Sequence, residues 1–108
     1  VMPASALTNR IIHEIYSTGG FAWRAASVGL LDKSKGIMRT APKKGVSDIL
    51  ACVRGQLIAI EVKIGKDKLS LEQQGFLENI KNAGGKSMVA TDFESFLTGW
   101  KDLKVIHS

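Results

Sequence analysis

The sequence has little of several residue types that mark particular protein classes. Its 108 residues include one cysteine, Cys52, so no disulfide can form within the chain and a reduced, cytoplasmic setting is expected. The two histidines, His13 and His107, have no partner at the spacing of a zinc site. No apolar run approaches the roughly 20 residues that a transmembrane helix needs. Disulfide-stabilised, zinc-binding and membrane-spanning classes are therefore disfavoured.

Acidic residues are fewer than basic ones. The chain has 10 Asp and Glu against 15 Lys and Arg, which gives a net charge of +5 at pH 7. A positive balance favours a polyanionic partner such as a nucleic acid. The hydrophobic content of 44% and the length suit a folded chain with one modest core, and we expect a single domain over residues 1–108.

Predicted helices and strands alternate along the chain. Apolar residues at helical spacing predict helices over 4–18, over 70–83 and from 92 onward. Strands are predicted at 21–29, in a hairpin at 45–63, and at 86–91. A helix between two strands implies a right-handed crossover and a parallel pair. These elements predict an α/β fold, a mixed four-stranded sheet flanked by helices. Residues 31–44 have no clear period and are expected to be a loop.

The predicted hairpin brings three charged residues together. If its reversal is centred on residues 54–55, partner positions sum to 109, and Asp48 lies opposite Glu61 on one face of the sheet. Lys63, two residues further along, shares that face. Two carboxylates about 4 Å apart repel by roughly 4 kcal/mol at an effective dielectric constant near 20. A divalent metal ion between them would remove this repulsion, so the pattern predicts a metal site.

The hairpin strands are apolar on both faces, which is typical of strands covered on both sides of a sheet. Cys52 is accordingly expected in the core rather than as a nucleophile, since no histidine is placed to activate it. Trp23 and Trp100 are assigned to the core or to an interface, with stacking on DNA bases as the minor alternative. The apolar face of the last helix is interpreted as core or as a dimer contact.

A basic segment leads directly into this hairpin. Its cations are Lys33, Lys35, Arg39, Lys43 and Lys44, against one acid, Asp32. Such a run is most often a solvated connection. Because it precedes the paired carboxylates, we interpret it as a surface that contacts DNA phosphates.

An acid on the first hairpin strand followed by Glu-X-Lys on the second resembles the PD-(D/E)XK nuclease superfamily. Here the parts are Ser47-Asp48 and Glu61-Val62-Lys63. The Gly45 before the acid and the downstream Ser-x-x-Gln are most similar to VRR-NUC domains, of which stand-alone members are small phage and bacterial proteins. One departure is Ser47, which replaces the usual proline at a position that is not a ligand.

The resemblance implies a restriction-endonuclease-like α-β-β-β-α-β core and a set of site residues. It implies that Asp48, Glu61 and the backbone carbonyl of Val62 bind Mg²⁺ or Mn²⁺. Lys63 would orient the attacking water and offset charge on the phosphate. Gln73 would help to position the lysine or the water, and Glu14 would add to the metal site directly or through water.

Each assignment has a simpler alternative. Glu61 and Lys63 could be a surface ion pair, worth under about 1 kcal/mol. Gln73 could only close a capping box with Ser70. Glu14 could be a boundary residue beside the apolar stripe of its helix.

The resemblance implies a metal-dependent DNA endonuclease that acts on branched or structured DNA, including four-way Holliday junctions. Cutting both strands of a junction requires two sites, so a homodimer is expected, in a bacterial or phage-encoded cytoplasmic protein without a membrane partner. The alternatives are a less selective nicking nuclease or exonuclease, a catalytically inactive DNA-binding module, and a basic assembly protein whose hairpin charges are incidental.

Overall fold

The computed structural model describes residues 2–26, 30–32, 37–39 and 45–103. The described elements follow one another as α1 (Ala4–Ser17), β1 (Phe21–Arg24), β2 (Leu30–Asp32), β3 (Ile37–Arg39), β4 (Ile49–Val53), β5 (Gln56–Val62), α2 (Leu71–Asn82), β6 (Lys86–Ala90) and α3 (Phe93–Leu103). Among these described residues, no helix is long and apolar enough to cross a membrane.

Four strands form the central sheet in the order β1-β4-β5-β6. The pairs β1–β4 and β4–β5 are antiparallel, whereas β5 and β6 are parallel. Helix α2 connects the parallel pair, as a crossover must. The fold prediction is therefore confirmed: the protein is α/β, with a mixed four-stranded sheet flanked by helices.

The β4–β5 hairpin has the predicted register. Its pairs run from Ile49 opposite Ile60 to Val53 opposite Gln56, and each pair sums to 109. Arg54 and Gly55 form the two-residue turn, with φ angles of 52° and 79°. Positive φ at both central residues is typical of the type I′ turn, whose twist matches that of the flanking strands. Asp48 and Glu61 come next in this register, so the turn fixes their opposition.

The two faces of the sheet are covered differently. One face packs against α1 and α3 in a cluster of buried residues: Leu7, Ile11, Ile15, Ala22, Ile49, Ala51, Val53, Ile58, Ile60, Val62, Ala90, Phe96 and Trp100. Helix α2 lies over β5 and β6 on the other face, where Ala59 and Leu77 are buried outside that cluster. The apolar face of α3 therefore belongs to the core, which was the first of the two interpretations, core or dimer contact.

The second face is only partly covered, which corrects one expectation. Cys52 on β4 was expected in the core but is exposed, as is Leu57 opposite it on β5. Cys52 is exposed because α2 packs mainly on β5 and β6 rather than on β4. Apolar residues on both faces of the hairpin strands indicated burial on both sides, but this pattern does not indicate how far a helix reaches across the sheet.

The segment 31–44 was predicted to be a loop, and this prediction was wrong for part of it. Strands β2 and β3 pair antiparallel in a separate two-stranded ribbon. Three-residue strands are too short to leave a period in the sequence. The candidate DNA-binding residues Lys33, Lys35, Lys43 and Lys44, and the side chain of Arg39, lie outside the described residues.

Helix α2 begins with a capping box. The Ser70 side chain accepts a hydrogen bond from the backbone N–H of Gln73, and the Gln73 side chain accepts one from the backbone N–H of Ser70. Gly45, just before the candidate acid, lies directly against this first turn. A Cβ atom at Gly45 would overlap the backbone carbonyl of Glu72 and lie 2.9 Å from the nitrogen of Gln73.

Gly45→Ala is therefore expected to lower the free energy of unfolding by about 2–3 kcal/mol, because strain at φ 77° adds to a backbone overlap. Gly65→Ala is the matched control, with φ 63° and no atom within 4 Å, and it should cost only about 1 kcal/mol. Urea unfolding of both variants measures the difference, and equal costs would contradict the close packing of Gly45 on α2.

Candidate active site

Asp48 is held in place by backbone contacts at the start of β4. Its side-chain Oδ2 accepts a 2.7 Å hydrogen bond from the backbone N–H of Val62, and its own carbonyl accepts one from Ala25. The preceding residue, Ser47, is fully buried and donates its hydroxyl to the carbonyl of Ile49. Ser47 therefore shapes the entry to the strand, as expected for a residue that is not a ligand.

Glu61 is a buried acid in the sheet. Its side chain is 1% exposed, and its Oε2 atom has no hydrogen-bond partner. The pKa of the Glu61 carboxyl is raised to about 8, mainly by burial and in addition by a hydrogen bond to the Asp48 side chain and by the negative charge of Asp48. The two carboxyl groups are thus in contact, as the hairpin register predicted. A surface ion pair with Lys63 is excluded as the role of Glu61, because Glu61 is not at the surface.

Lys63 lies beside the two acids. It is half-buried, and its backbone N–H donates to the carbonyl of Ala90 on β6. Its positive charge lowers the pKa of Glu61 but does not offset the burial and the Asp48 contact. The structure therefore brings together an acid fixed by the backbone, a buried acid with a free oxygen, and an ammonium group.

The donor atoms at this site fit a divalent cation. Carboxylate oxygens are the ligands preferred by Mg²⁺ and Mn²⁺, and the unpartnered Oε2 of Glu61 is available to one. A cation would favour the ionised form of Glu61, against the burial that now disfavours it. Two carboxylates suffice for Mg²⁺, which usually keeps several waters and takes oxygens from the substrate phosphate.

Glu14 and Gln73 are placed differently from these three residues. In the described part of the chain, no three His, Cys, Asp or Glu side chains form a metal-binding group, so Glu14 does not join the two acids in one. Glu14 is half-buried on α1, and a role through water stays a prediction. The side-chain oxygen of Gln73 accepts the capping-box hydrogen bond, as the simpler alternative for this residue predicted. A role of Gln73 in positioning the lysine or the water stays a prediction.

The sequence did not indicate that the exposed aromatic residues of β1 lie beside this site. Phe21 and Trp23 on β1 share the face of Asp48 and Glu61, and they are 56% and 40% exposed. Their alternation with buried Ala22 was visible in the sequence. Without the register of β1 on β4, that alternation does not indicate which site they adjoin.

The fold has a solved counterpart. The 1.6 Å structure of Hjc, a Holliday junction resolvase from the archaeal hyperthermophile Archaeoglobus fulgidus, matches with a TM-score of 0.57 and 24% sequence identity. The match covers 82% of this chain and 67% of that one. The chain shares the fold of this resolvase. That likeness agrees with the expected restriction-endonuclease-like core, whereas membership of the VRR-NUC group stays a prediction. No protein-family model and no curated protein matches the sequence.

The pKa of Glu61 predicts a pH-dependent stability. Because this pKa is raised from 4.5 to about 8 in the folded state, the stabilising effect is complete below pH 4.5 and is lost as the pH rises through 8. The metal-free protein should lose up to about 1.4 kcal/mol of unfolding free energy per pH unit within this window.

Urea unfolding in EDTA at several pH values between 5 and 8 measures this slope. Glu61→Gln removes the titrating group and keeps its shape, so its slope should be flatter than that of the wild type. Equal slopes for the two proteins would contradict a buried, proton-binding Glu61.

Proposed function

We propose that the protein is a metal-dependent DNA endonuclease that hydrolyses phosphodiester bonds, as a single nuclease domain over residues 1–108. The observation that supports this most is the contact between Asp48 and the buried Glu61, whose Oε2 has no partner, beside Lys63. Desolvating an acid against a second acid is costly, and such arrangements are typical of functional sites. A structural role would be served better by an apolar residue at position 61.

Asp48, Glu61 and the carbonyl of Val62 would hold Mg²⁺ or Mn²⁺ in this proposal. When bound, the ion supplies Lewis-acid activation of the scissile phosphate and of the attacking water. The backbone N–H of Val62 fixes the Asp48 carboxylate, so this ligand is oriented before substrate arrives. The burial of Glu61 on β5 fixes the second ligand in the same way.

Lys63 would act on the phosphate and the water rather than on the metal. Its ammonium group shares the face of the two acids and can offset the charge that develops on the phosphate. Gln73 lies in the first turn of α2, which packs against Gly45. From there its side-chain amide would help to orient the lysine or the water, while its oxygen continues to serve the capping box.

Branched or structured DNA, including four-way junctions, is the proposed substrate. A structural neighbour is a Holliday junction resolvase, and the net charge of +5 suits a DNA ligand. The basic cluster of Lys33, Lys35, Arg39, Lys43 and Lys44 would supply phosphate contacts. Resolving a junction takes two cuts and each chain carries one site, so a homodimer is proposed with this substrate.

A less selective nicking nuclease or exonuclease would use the same site, and the choice of substrate separates it from a resolvase. A DNA-binding module without chemistry is disfavoured by the site itself. Two carboxylates in contact repel phosphate, and a protein that only binds DNA gains from their removal. The same contact argues against a basic assembly protein in which these charges are incidental.

Asp48→Asn should reduce Mg²⁺-dependent cleavage of a labelled four-way junction at least about 100-fold, because an amide is a poor ligand for the cation. DNA binding should be retained or tightened, since a negative charge near phosphate is removed. Gel assays of linear, flapped and four-way substrates with Mg²⁺ or Mn²⁺ measure cleavage, and a mobility shift in EDTA measures binding.

The matched control is Asp102→Asn, which removes one exposed acid from the end of α3. Its cleavage should equal that of the wild type. The assigned site is refuted if Asp48→Asn and the control cleave at the same rate.

A further inference from the structure

The structure places exposed aromatic rings on the same face of the sheet as the two acids. In the antiparallel registers, Phe21 lies opposite Cys52 and Trp23 opposite Leu50. Side chains two residues apart along a strand point to the same face. Asp48 is two residues from Leu50, so the row of Trp23 is adjacent to the row of acids. Successive rows on one face are separated by about 7 Å.

The rings form a contiguous surface, which we call the aromatic ladder and define as Tyr16, Phe21 and Trp23. The centroids of Phe21 and Trp23 are 5.3 Å apart with tilted planes, and the edge of Tyr16 contacts Phe21 at 5.9 Å. Tyr16 is 49% exposed at the end of α1. Adjacent large apolar side chains that are exposed to this extent are typical of a binding surface.

We propose that the aromatic ladder stacks unpaired bases of the DNA substrate within a few nucleotides of the cleaved phosphate. This inference rests on the proposed function. In that function the aromatic ladder would favour DNA that has unpaired bases near the cleaved phosphate. The roughly 7 Å between rows corresponds to about two stacked nucleotides at 3.4 Å each. A strand whose phosphate reaches Asp48 and Glu61 would therefore pass its neighbouring bases over Trp23 and Phe21.

The geometry favours bases over a second copy of the chain. A second copy of the chain bound to the aromatic ladder would lie one row of side chains from Asp48 and Glu61. It would block the access of a DNA phosphate to these acids. The rows of Phe21 and Trp23 also contain no acidic residue among their paired positions. Phe21 is in line with Cys52 and Leu57, and Trp23 is in line with Leu50, Ala59 and Ser87. A polyanionic strand meets no like charge there until it reaches the site. Exposed aromatic side chains accept any base, because every base has a flat face to stack on.

Replacement of Trp23 by leucine removes the ring and keeps an apolar, exposed side chain. Stacking is worth about 1–3 kcal/mol per base, so Trp23→Leu should weaken binding of a single-stranded oligonucleotide about 5- to 150-fold. Binding of a blunt duplex of the same length should change less than about 2-fold, because its bases are already stacked. Trp23→Phe keeps a ring and should bind close to the wild-type level.

Fluorescence anisotropy in EDTA measures binding without cleavage, and circular dichroism checks that each variant folds. Phe21→Leu tests the same surface if Trp23→Leu does not fold. Intrinsic fluorescence gives a second readout, because Trp100 is 3% exposed while Trp23 is open to solvent. Single-stranded DNA should quench the wild type more than Trp23→Phe.

Four results would overturn the proposal. The first is unchanged single-stranded binding in both leucine variants, and the second is the absence of single-stranded binding in the wild type. The third is an equal loss of duplex binding. The fourth is a fall in molar mass by light scattering from dimer to monomer in Trp23→Leu, which would assign the ladder to a second copy. Failure of the wild type to cleave DNA would remove the proposed nuclease function but would leave the binding result standing.

Discussion

The candidate site centres on one unfavourable contact, that between the carboxyl groups of Asp48 and Glu61. Glu61 is removed from water and placed against a second acid, and both effects raise its pKa to about 8. At about 4 Å two charged carboxylates repel by roughly 4 kcal/mol at an effective dielectric constant near 20. Two further groups act on this pair. The backbone N–H of Val62 fixes the Asp48 carboxylate, and the positive charge of Lys63 offsets part of the rise in the pKa of Glu61.

The fold holds this contact in place through its backbone. The two-residue turn at Arg54 and Gly55 fixes the register of β4 on β5, and a shift of one residue would move either acid to the opposite face. Strand β6 pairs in parallel with β5 along the edge opposite β4, and it covers the end of β5 that carries Glu61. Helix α2 then brings its first turn against Gly45, next to the acid. An entirely apolar sheet would use the same elements, but here they bury a carboxyl group at position 61.

Much of this arrangement could be predicted from the sequence, because its causes are local. The turn residues, the two-residue period and the Ser70–Gln73 capping box are each visible within a few residues, and each was found in the structure. The opposition of Asp48 and Glu61 followed from the turn alone. The likeness to the Hjc resolvase agrees with the fold that these signals predicted.

The remainder could not be predicted, because it depends on distant parts of the chain. The exposure of Cys52 and Trp23 is decided by how far α2 reaches across the sheet, which no local pattern records. The role of Glu14 at the metal site was implied by the resemblance alone and stays a prediction, because its place beside an apolar stripe gives the face of α1 and not its distance from β5. Strands β2 and β3 were missed because three residues leave no period.

We propose above all that Asp48 and Glu61 hold a divalent cation between them. An anomalous difference map from crystals soaked in MnCl₂ tests this most directly. We expect a single strong peak at coordinating distance from Asp48 Oδ and from Oε2 of Glu61, and no peak there in Asp48→Asn. A map from the wild type with no peak between these two carboxylates, at a Mn²⁺ concentration that supports other sites, would contradict the account.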